Sequence, residues 1–205
     1  MVEDVVDVRI TVSEKGISVF QGLFAEGVLI HSEPGQSLSD ILCRRIGIPE
    51  NYLHDRVQTV FLNGRAVDDF SGEPVRNNAV IALSAAMPGL VGAVFRKKGM
   101  LSPLRTFRLR QSKDSVFENY AKETGLNQIT LKLFNLIAAE LAPEFLNNGI
   151  LINKDQLLRY VDWKKAFLKK TCKALTVDGR PAEIDDLAVF LEEAEHVRLF
   201  ANVDQ

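Results

Sequence analysis

The sequence predicts an α+β protein, with a strand-rich first half and a helix-rich, mixed second half. Apolar and polar residues alternate along several segments before residue 84, whereas apolar residues recur at helical spacing after residue 114. A basic segment lies between the two patterns. The chain has 205 residues, of which 46% are hydrophobic and 25% charged, and these proportions exclude disordered, collagen-like and coiled-coil classes. We therefore predict two domains, residues 1–93 and 114–205, joined by a basic connector at 94–113.

The first predicted element is a β-hairpin. Residues 6–12 alternate apolar and polar side chains, as a strand with one buried face does. Lys15-Gly16 resembles a turn, and residues 17–30 are rich in Val, Phe and Leu, with Gly22 and Gly27 as expected bulge or bend sites. The two strands are predicted to pair with each other.

A helix and two further strand regions complete the first half. Ser37 with Asp40 three residues on is typical of a helix N-cap, and the apolar stripe that follows ends at Gly47. Residues 57–62 form a predicted strand leading into Asn63-Gly64, a strong hairpin-turn signal. Residues 79–83 form the last predicted strand. The order is β-β-α-β-β.

The second half is predicted to contain five helical stretches and one strand. A capping box at Ser115 opens the first helix, Pro143 ends a second over 130–141, a further short helix ends at Asn148-Gly149, and Asn153 caps a pattern reaching Leu175. Asp162-Trp163 is predicted to divide that last pattern in two. Asp178-Gly179 is a second hairpin-turn signal, followed by a helix at 187–191 and a strand at 197–201.

Two turn regions resemble each other. Residues 62–69, Leu-Asn-Gly-Arg-Ala-Val-Asp-Asp, are similar to residues 177–186, Val-Asp-Gly-Arg-Pro-Ala-Glu-Ile-Asp-Asp. A duplicated β-unit would explain the similarity, and so would two unrelated hairpins with common turn chemistry. The second explanation is the one we favour from the sequence.

The first half also resembles a known family. Residues 60–69, with Val75, Asn77, Asn78 and the strand at 79–83, resemble the ubiquitin-like sulfur carriers of the ThiS/MoaD type. The resemblance covers residues 1 to about 93 and implies a β-grasp fold. In that family the last strand leads into the functional tail, a C-terminal Gly-Gly whose carboxylate becomes a thiocarboxylate.

The tail of this chain departs from the family pattern. Residues 87–93 read Met-Pro-Gly-Leu-Val-Gly-Ala, so Leu and Val separate the two glycines, and 112 residues follow. The resemblance therefore implies the fold and partner binding, with the candidate partner-binding residues Pro88, Gly89, Leu90, Val91 and Gly92. A sulfur-carrier precursor is an alternative that would need cleavage near Gly92. The segment alternatively packs between the domains, which we consider the simpler interpretation.

The charge distribution indicates a second candidate binding surface, on the basic segment at residues 74–113. The chain carries a net charge of −2, but residues 74–113 contain eight basic and no acidic residues, which leaves −10 for the rest. Phosphate, nucleic acid or an acidic partner protein could bind there. The same charges could instead pair with the acidic remainder of the protein. The candidate anion-binding residues are Arg96, Lys97, Lys98, Arg105, Arg108 and Arg110.

Enzyme, cofactor and metal motifs are absent from the sequence. No G-x-G-x-x-G, phosphate-binding loop or G-x-S-x-G occurs, and the three histidines have no partner at metal-ligand spacing. Cys43 and Cys172 have no C-x-x-C and indicate no disulfide framework. The acidic amino terminus and the lack of a long apolar run predict a cytoplasmic protein without a membrane span. We expect a non-enzymatic protein-binding or scaffold protein.

Overall fold

The fold is a mixed α and β arrangement, known from a computed structural model that describes residues 5–72, 74–105 and 125–204. This agrees with the predicted α+β class. The strands are β1 (Val5–Val12), β2 (Val28–Ser32), β3 (Thr59–Leu62), β4 (Arg65–Ala66), β5 (Val80–Ser84), β6 (Asn127–Phe134), β7 (Ile150–Asn153), β8 (Cys172–Val177), β9 (Arg180–Pro181) and β10 (His196–Val203). The α-helices are α1 (Gln21–Glu26), α2 (Glu50–Asp55), α3 (Gly89–Phe95), α4 (Asn135–Asn148), α5 (Lys154–Thr171) and α6 (Leu187–Phe190). Shorter helical turns are 3-10 helices at Glu14–Phe20, Ser102–Leu104 and Ile184–Asp186 and a π-helix at Asp40–Arg45.

Contacts within the chain group the residues into two compact units. The terminal unit comprises Met1–Val28 and Ala138–Gln205, and the central unit comprises Leu29–Ile137. This grouping differs from the predicted domains at 1–93 and 114–205. The difference arises because the first strand belongs with the last part of the chain.

The sheet of the terminal unit has the order β7-β10-β1-β8-β9. β1 runs parallel to β10, with Val5 opposite His196, and antiparallel to β8. Its inward side chains Val8, Ile10 and Val12 are buried. The predicted hairpin between residues 6–12 and 17–30 is therefore wrong, because long-range partners occupy both edges of β1.

Residues 14–26 of this unit are helical and not a strand. A Cβ on Gly22 would lie 2.3 Å from the hydroxyl oxygen of Tyr160 in α5. Gly22 thus permits close approach of α1 to α5, where the sequence had suggested a bulge. The Tyr160 hydroxyl donates a hydrogen bond to the carbonyl of Val19 and secures the same contact.

The sheet of the central unit has the order β4-β3-β5-β6-β2. β5 pairs antiparallel with β3 and parallel with β6. The predicted cap at Ser37 is confirmed, since its hydroxyl accepts a hydrogen bond from the Asp40 N–H and donates one of 2.7 Å to the Asp40 carboxylate. The strands at 57–62 and 79–83 and the Asn63-Gly64 turn are confirmed as well. The core of this unit includes Ile41, Leu53, Val60, Ile81, Leu83, Ile129 and Leu131.

The later elements differ from the prediction at three places. The predicted helix over 130–141 is a strand up to Phe134, and α4 then continues through Pro143 to Asn148. The predicted break at Asp162-Trp163 is wrong, because α5 is one helix capped by Asn153, whose side chain accepts from the Asp155 N–H. Cys172 begins β8 and does not extend the helix. The turn at Asp178-Gly179, the helix near 187–191 and the final strand are confirmed.

The two similar turns occupy equivalent positions in equivalent sheets. The orders β4-β3-β5-β6-β2 and β9-β8-β1-β10-β7 match strand for strand, each with a central parallel pair. Asn63 and Asp178 share a left-handed φ, 50° and 47°. Asn63 exchanges two hydrogen bonds with the Val80 backbone, and Asp178 exchanges the same two with the Asp7 backbone. The chain order of the two sheets differs, because β5 follows β4 directly whereas its counterpart β1 precedes β8 and β9. The similarity therefore lies in the turn and its place in the sheet, and not in a repeated order of strands.

The capping box at Ser115 and Glu118 lies outside the described residues. Of the helices that the structure describes, none combines the length and apolar character required to cross a membrane.

Candidate functional site

The predicted partner-binding segment folds into helix α3. Pro88 precedes it in an extended conformation, and Gly89 opens the helix with a φ of 74°. A proline at the N-cap fixes the chain direction without leaving a further N–H group to satisfy. The segment is thus a short helix within the central unit, where the sequence had predicted a stretch that binds a partner or packs between the domains.

Gly92 anchors α3 to the chain that precedes it. It is buried, and a Cβ at this position would lie 1.8 Å from the carbonyl oxygen of Met87. No side chain fits that distance, so α3 folds back on Met87 only because residue 92 is glycine. The Gly92–Ala93 bond lies inside a helix, and α3 would have to unwind before a protease could reach it.

Arg105 holds the other end of α3. Its Nε donates to the carbonyl of Val94 at 2.8 Å, and its Nη2 donates to the carbonyls of Phe95 and Arg96. The C-terminal carbonyl groups of a helix lack partners within the helix and carry partial negative charge, which a guanidinium satisfies. The remaining Nη1 forms an ion pair of 2.9 Å with Asp68.

Side-chain packing fixes α3 on the sheet as well. The Phe95 ring contacts the Phe61 ring of β3 edge-on, with centroids 5.3 Å apart. The helix is therefore held by an aromatic pair, a guanidinium clamp and a glycine contact, which together orient its outward side chains.

Those outward side chains are apolar. Leu90 is 72% exposed and Val91 is 61% exposed, and Met100 and Leu104 are exposed shortly afterwards. The described residues include ten exposed large hydrophobic side chains, and these four fall within fifteen residues of one another. Single exposed hydrophobic residues need no explanation, but a group on a rigid support is typical of a protein-binding surface. We call Leu90, Val91, Met100 and Leu104 the α3 surface.

Lys97 is turned inward, toward the end of α2. Its ammonium donates to the carbonyls of Leu53, His54 and Val57 at 2.8, 2.9 and 3.0 Å, so it caps the C-terminus of that helix. Burial lowers the pKa of Lys97, and the charge of Lys98 lowers it further. Its three donors are used within the protein.

The predicted anion-binding surface is therefore divided. Arg96 and Lys98 are exposed, whereas Lys97 and Arg105 are engaged with backbone carbonyl groups. Arg108 and Arg110 lie outside the described residues. One of the four described candidate cations, Arg105, forms the expected ion pair with an acidic residue, Asp68. Most of the hydrogen bonds from the side chains of Lys97 and Arg105 go to backbone carbonyls instead.

A polar cavity of about 270 Å³ lies beside this region in the central unit. The π-helix, α2, the turn after β4 and Lys98 supply its walls. The Asp69 carboxylate is fixed there by the Ser71 N–H and hydroxyl, which lower its pKa. The lining residues are Ser39, Cys43, Glu50, Leu53, His54, Asp68, Asp69, Phe70, Ser71 and Lys98.

Cys43 is the one sulfur group among these lining residues. Burial raises the pKa of its thiol, so the group is protonated at neutral pH and is a weak nucleophile. In residues 5–72, 74–105 and 125–204, no group of three or more His, Cys, Asp or Glu side chains is arranged to hold a metal ion. The cavity can admit a small polar molecule, but its thiol is not activated for covalent catalysis.

Alkylation of Cys43 should therefore be slow at neutral pH. We expect the rate with iodoacetamide, measured in a Cys172→Ser background, to rise with pH and to reach half its maximum at a higher pH than a free thiol, whose pKa is about 8.5. The background substitution is required because Cys172 is a second thiol whose pKa burial also raises, so its alkylation would overlap with that of Cys43. A midpoint at or below that of a free thiol would contradict a buried, unactivated thiol.

Sequence reasoning missed Asp68 and the cavity residues Cys43 and His54. Asp68 forms the ion pair with Arg105 at 2.9 Å. The only sequence signal for the role of Asp68 was the absence of acidic residues from 74–113. Any acidic residue that pairs with a basic residue of that segment must therefore come from another part of the chain.

Comparisons with known proteins give no relative for this chain: no family model, no curated protein and no solved structure matches it.

Proposed function

We propose that this chain is a non-enzymatic protein-binding or scaffold protein, and that its partner binds at the α3 surface. The observation that carries the proposal is the exposure of Leu90 and Val91 on a helix that Gly92 and Arg105 hold in place. Side chains on a rigid helix lose little conformational entropy when a partner covers them. Most of the free energy gained by burying their apolar surface therefore contributes to the affinity for the partner. The proposal includes the expected cytoplasmic location.

We also propose a β-grasp fold for the central unit. Support comes from its parallel pair β5 and β6, the β3–β4 hairpin on one side of that pair, and the helical residues between β2 and β3. In this arrangement β6 takes the place that the resemblance to ThiS/MoaD-type sulfur carriers had given to residues 6–12. The α3 surface then follows β5, as the family's functional tail follows its last strand.

Protein binding is favoured over nucleic-acid binding by the placement of the cations. Of the four candidate cations that the structure describes, two are used in helix capping, and Arg96 and Lys98 remain exposed. Binding to a nucleic-acid backbone depends on several phosphate contacts from a continuous row of cations.

The proposal predicts loss of partner capture when the α3 surface is made acidic. The double variant Leu90→Asp, Val91→Asp should capture at least about tenfold less partner protein from native lysate than the wild type does. Loss of a hydrophobic hot spot has an effect of this size. The matched control is Leu136→Asp, which changes another exposed leucine of the central unit and should leave capture unchanged. Equal capture by the double variant and the wild type would contradict the proposal.

A further inference from the structure

The terminal unit carries an aromatic and basic face on α5. Trp163 is 70% exposed, and Phe167, one helical turn later, is exposed on the same side. Exposed Arg159 and Lys170 lie along the same ridge, and the Lys164 ammonium lies 3.4 Å from the centre of the Trp163 ring. We call Arg159, Trp163, Lys164, Phe167 and Lys170 the α5 face.

The α5 face is firmly supported from the opposite side of the helix. Leu157, Val161 and Leu168 are buried, and Lys165 and Lys169 both form ion pairs with Asp185. Since those two lysines are engaged, the cations available beside Trp163 are the ones on its own face. Arg159 makes one distant ion pair, at 3.9 Å from Glu26, which contributes little at an exposed position.

A patch of the opposite charge lies on and after α6 in the same unit. Val189 is 73% exposed and Phe190 is exposed next to it. Asp186, Glu192 and Glu193 are exposed around them. We call these five residues the α6 patch. Buried Leu187 and Leu191 hold its backbone, and the Lys154 ammonium donates to the Glu192 carbonyl at 2.8 Å.

The two surfaces are complementary in chemistry. Each has a pair of apolar side chains at its centre, bordered by cations on the α5 face and by carboxylates on the α6 patch. Trp163 and Val189 are both largely exposed within one copy, so the two surfaces do not cover each other there. Aromatic and arginine side chains at the centre of a contact, with charges at its rim, are the usual composition of a binding hot spot.

We propose that the α5 face binds the α6 patch of a second copy of this chain. Binding would place Val189 and Phe190 against Trp163 and Phe167, and would bring Glu192 and Glu193 near Lys164 and Lys170. The contact is small, so the association is weak, and its charged rim makes it sensitive to salt. It lies on the terminal unit and does not depend on the α3 surface.

A single-stranded nucleic acid is the other occupant that an aromatic and basic face can accept. Stacking of bases requires open ring faces in a row along a cationic groove. The Lys164 ammonium covers one face of Trp163, and the Trp163 and Tyr160 rings pack at 85° with their centroids 5.7 Å apart. The observations therefore favour the acidic patch of a second copy.

The test uses two variants of the full chain, each disabled in one surface. Phe167→Glu disables the α5 face, and Val189→Lys disables the α6 patch. We expect sedimentation velocity to show wild-type association that rises with concentration between about 5 µM and about 1 mM, the range of weak complexes. Each variant alone should sediment as a monomer. An equimolar mixture should form a dimer, because it restores one intact α5 face and one intact α6 patch.

Trp163 provides a second readout, because it is the only tryptophan in the chain. Its emission should shift to shorter wavelength as the wild type associates, and about 0.5 M NaCl should weaken association roughly tenfold by screening the rim charges. Leu90→Asp is the control: it changes the α3 surface and should associate as the wild type does. The control thus tests self-association through the α5 face separately from partner capture by the α3 surface, so that one proposal can fail while the other holds.

Three results would overturn the proposal. One is a wild type that stays monomeric throughout the concentration range. Another is a mixture that associates no better than either variant alone. The third is a shift of Trp163 emission on adding oligothymidylate to a wild type that remains monomeric, since that result would assign the face to nucleic acid.

Discussion

Gly92→Ala is expected to lower the free energy of unfolding by about 2–4 kcal/mol, a large effect for a single methyl group. The new Cβ would lie 1.8 Å from the Met87 carbonyl oxygen, so either the backbone of α3 or residues 86–88 must move. Main-chain atoms cannot rotate away as the end of a flexible side chain can. The loss would be measured by urea denaturation followed by circular dichroism.

Gly72→Ala is the matched control for this substitution. Its Cβ would meet the Asp69 carboxylate at 3.4 Å, an ordinary contact, in the same unit of the protein. We expect it to change the stability by less than about 1 kcal/mol. A Gly92→Ala variant as stable as Gly72→Ala would mean that α3 does not pack on Met87.

Arg105→Met is expected to cost about 2–4 kcal/mol, because it removes charge-assisted hydrogen bonds from the end of α3 and the ion pair of Asp68, which keeps only the Lys98 backbone N–H as a donor among the described residues. The Arg105 side chain is only 13% exposed, so water replaces its contacts poorly. The variant should also lose partner capture although Leu90 and Val91 are unchanged, since α3 would no longer be fixed. Chemical denaturation and the capture assay would measure the two effects.

Two further substitutions test whether the positive charge of Arg105 or the planar arrangement of its donors stabilises α3. Arg105→Lys keeps the positive charge but not the planar arrangement of donors, so we expect an intermediate loss. Arg96→Met removes an exposed cation nearby and should change stability by less than about 0.5 kcal/mol. If Arg105→Met and Arg96→Met were equally mild, the clamp would have no structural role.

Local signals in the sequence predicted the local elements. The Ser37 and Asn153 caps and the turns at Asn63 and Asp178 depend on residues within a few positions of one another, and all four are present. The strand at β6 was missed because Leu131, Phe134 and Ile137 fit helical spacing, while Ile129, Leu131 and Leu133 fit strand alternation. Pairing with β5 decides between the two patterns, and that pairing is not local.

Long-range contacts account for the remaining differences. β1 pairs with β10 across some 190 residues, and no property of residues 6–12 alone distinguishes this partner from a neighbouring strand. The binding role of the basic connector was predicted from its positive charge alone. The charge pattern does not show which helix ends have unpaired carbonyl groups that a cation could cap. Lys97 and Arg105 were therefore candidates for binding an external anion or the acidic remainder of the protein, whereas in the structure they cap α2 and α3. Leu90 and Val91 were nominated from the family resemblance, and the structure exposes both.

Site-specific crosslinking from position 90 tests the proposed function most directly. A photoreactive leucine analogue at position 90, activated in the native cell, should join the 22.9 kDa chain to another protein, while the same analogue at position 136 should not. Intact-mass analysis would detect both the adduct and any cleavage after Gly92. We expect an adduct of the full-length chain at position 90. Unmodified chain at both positions, or a chain ending at Gly92, would contradict a binding protein that uses an intact α3.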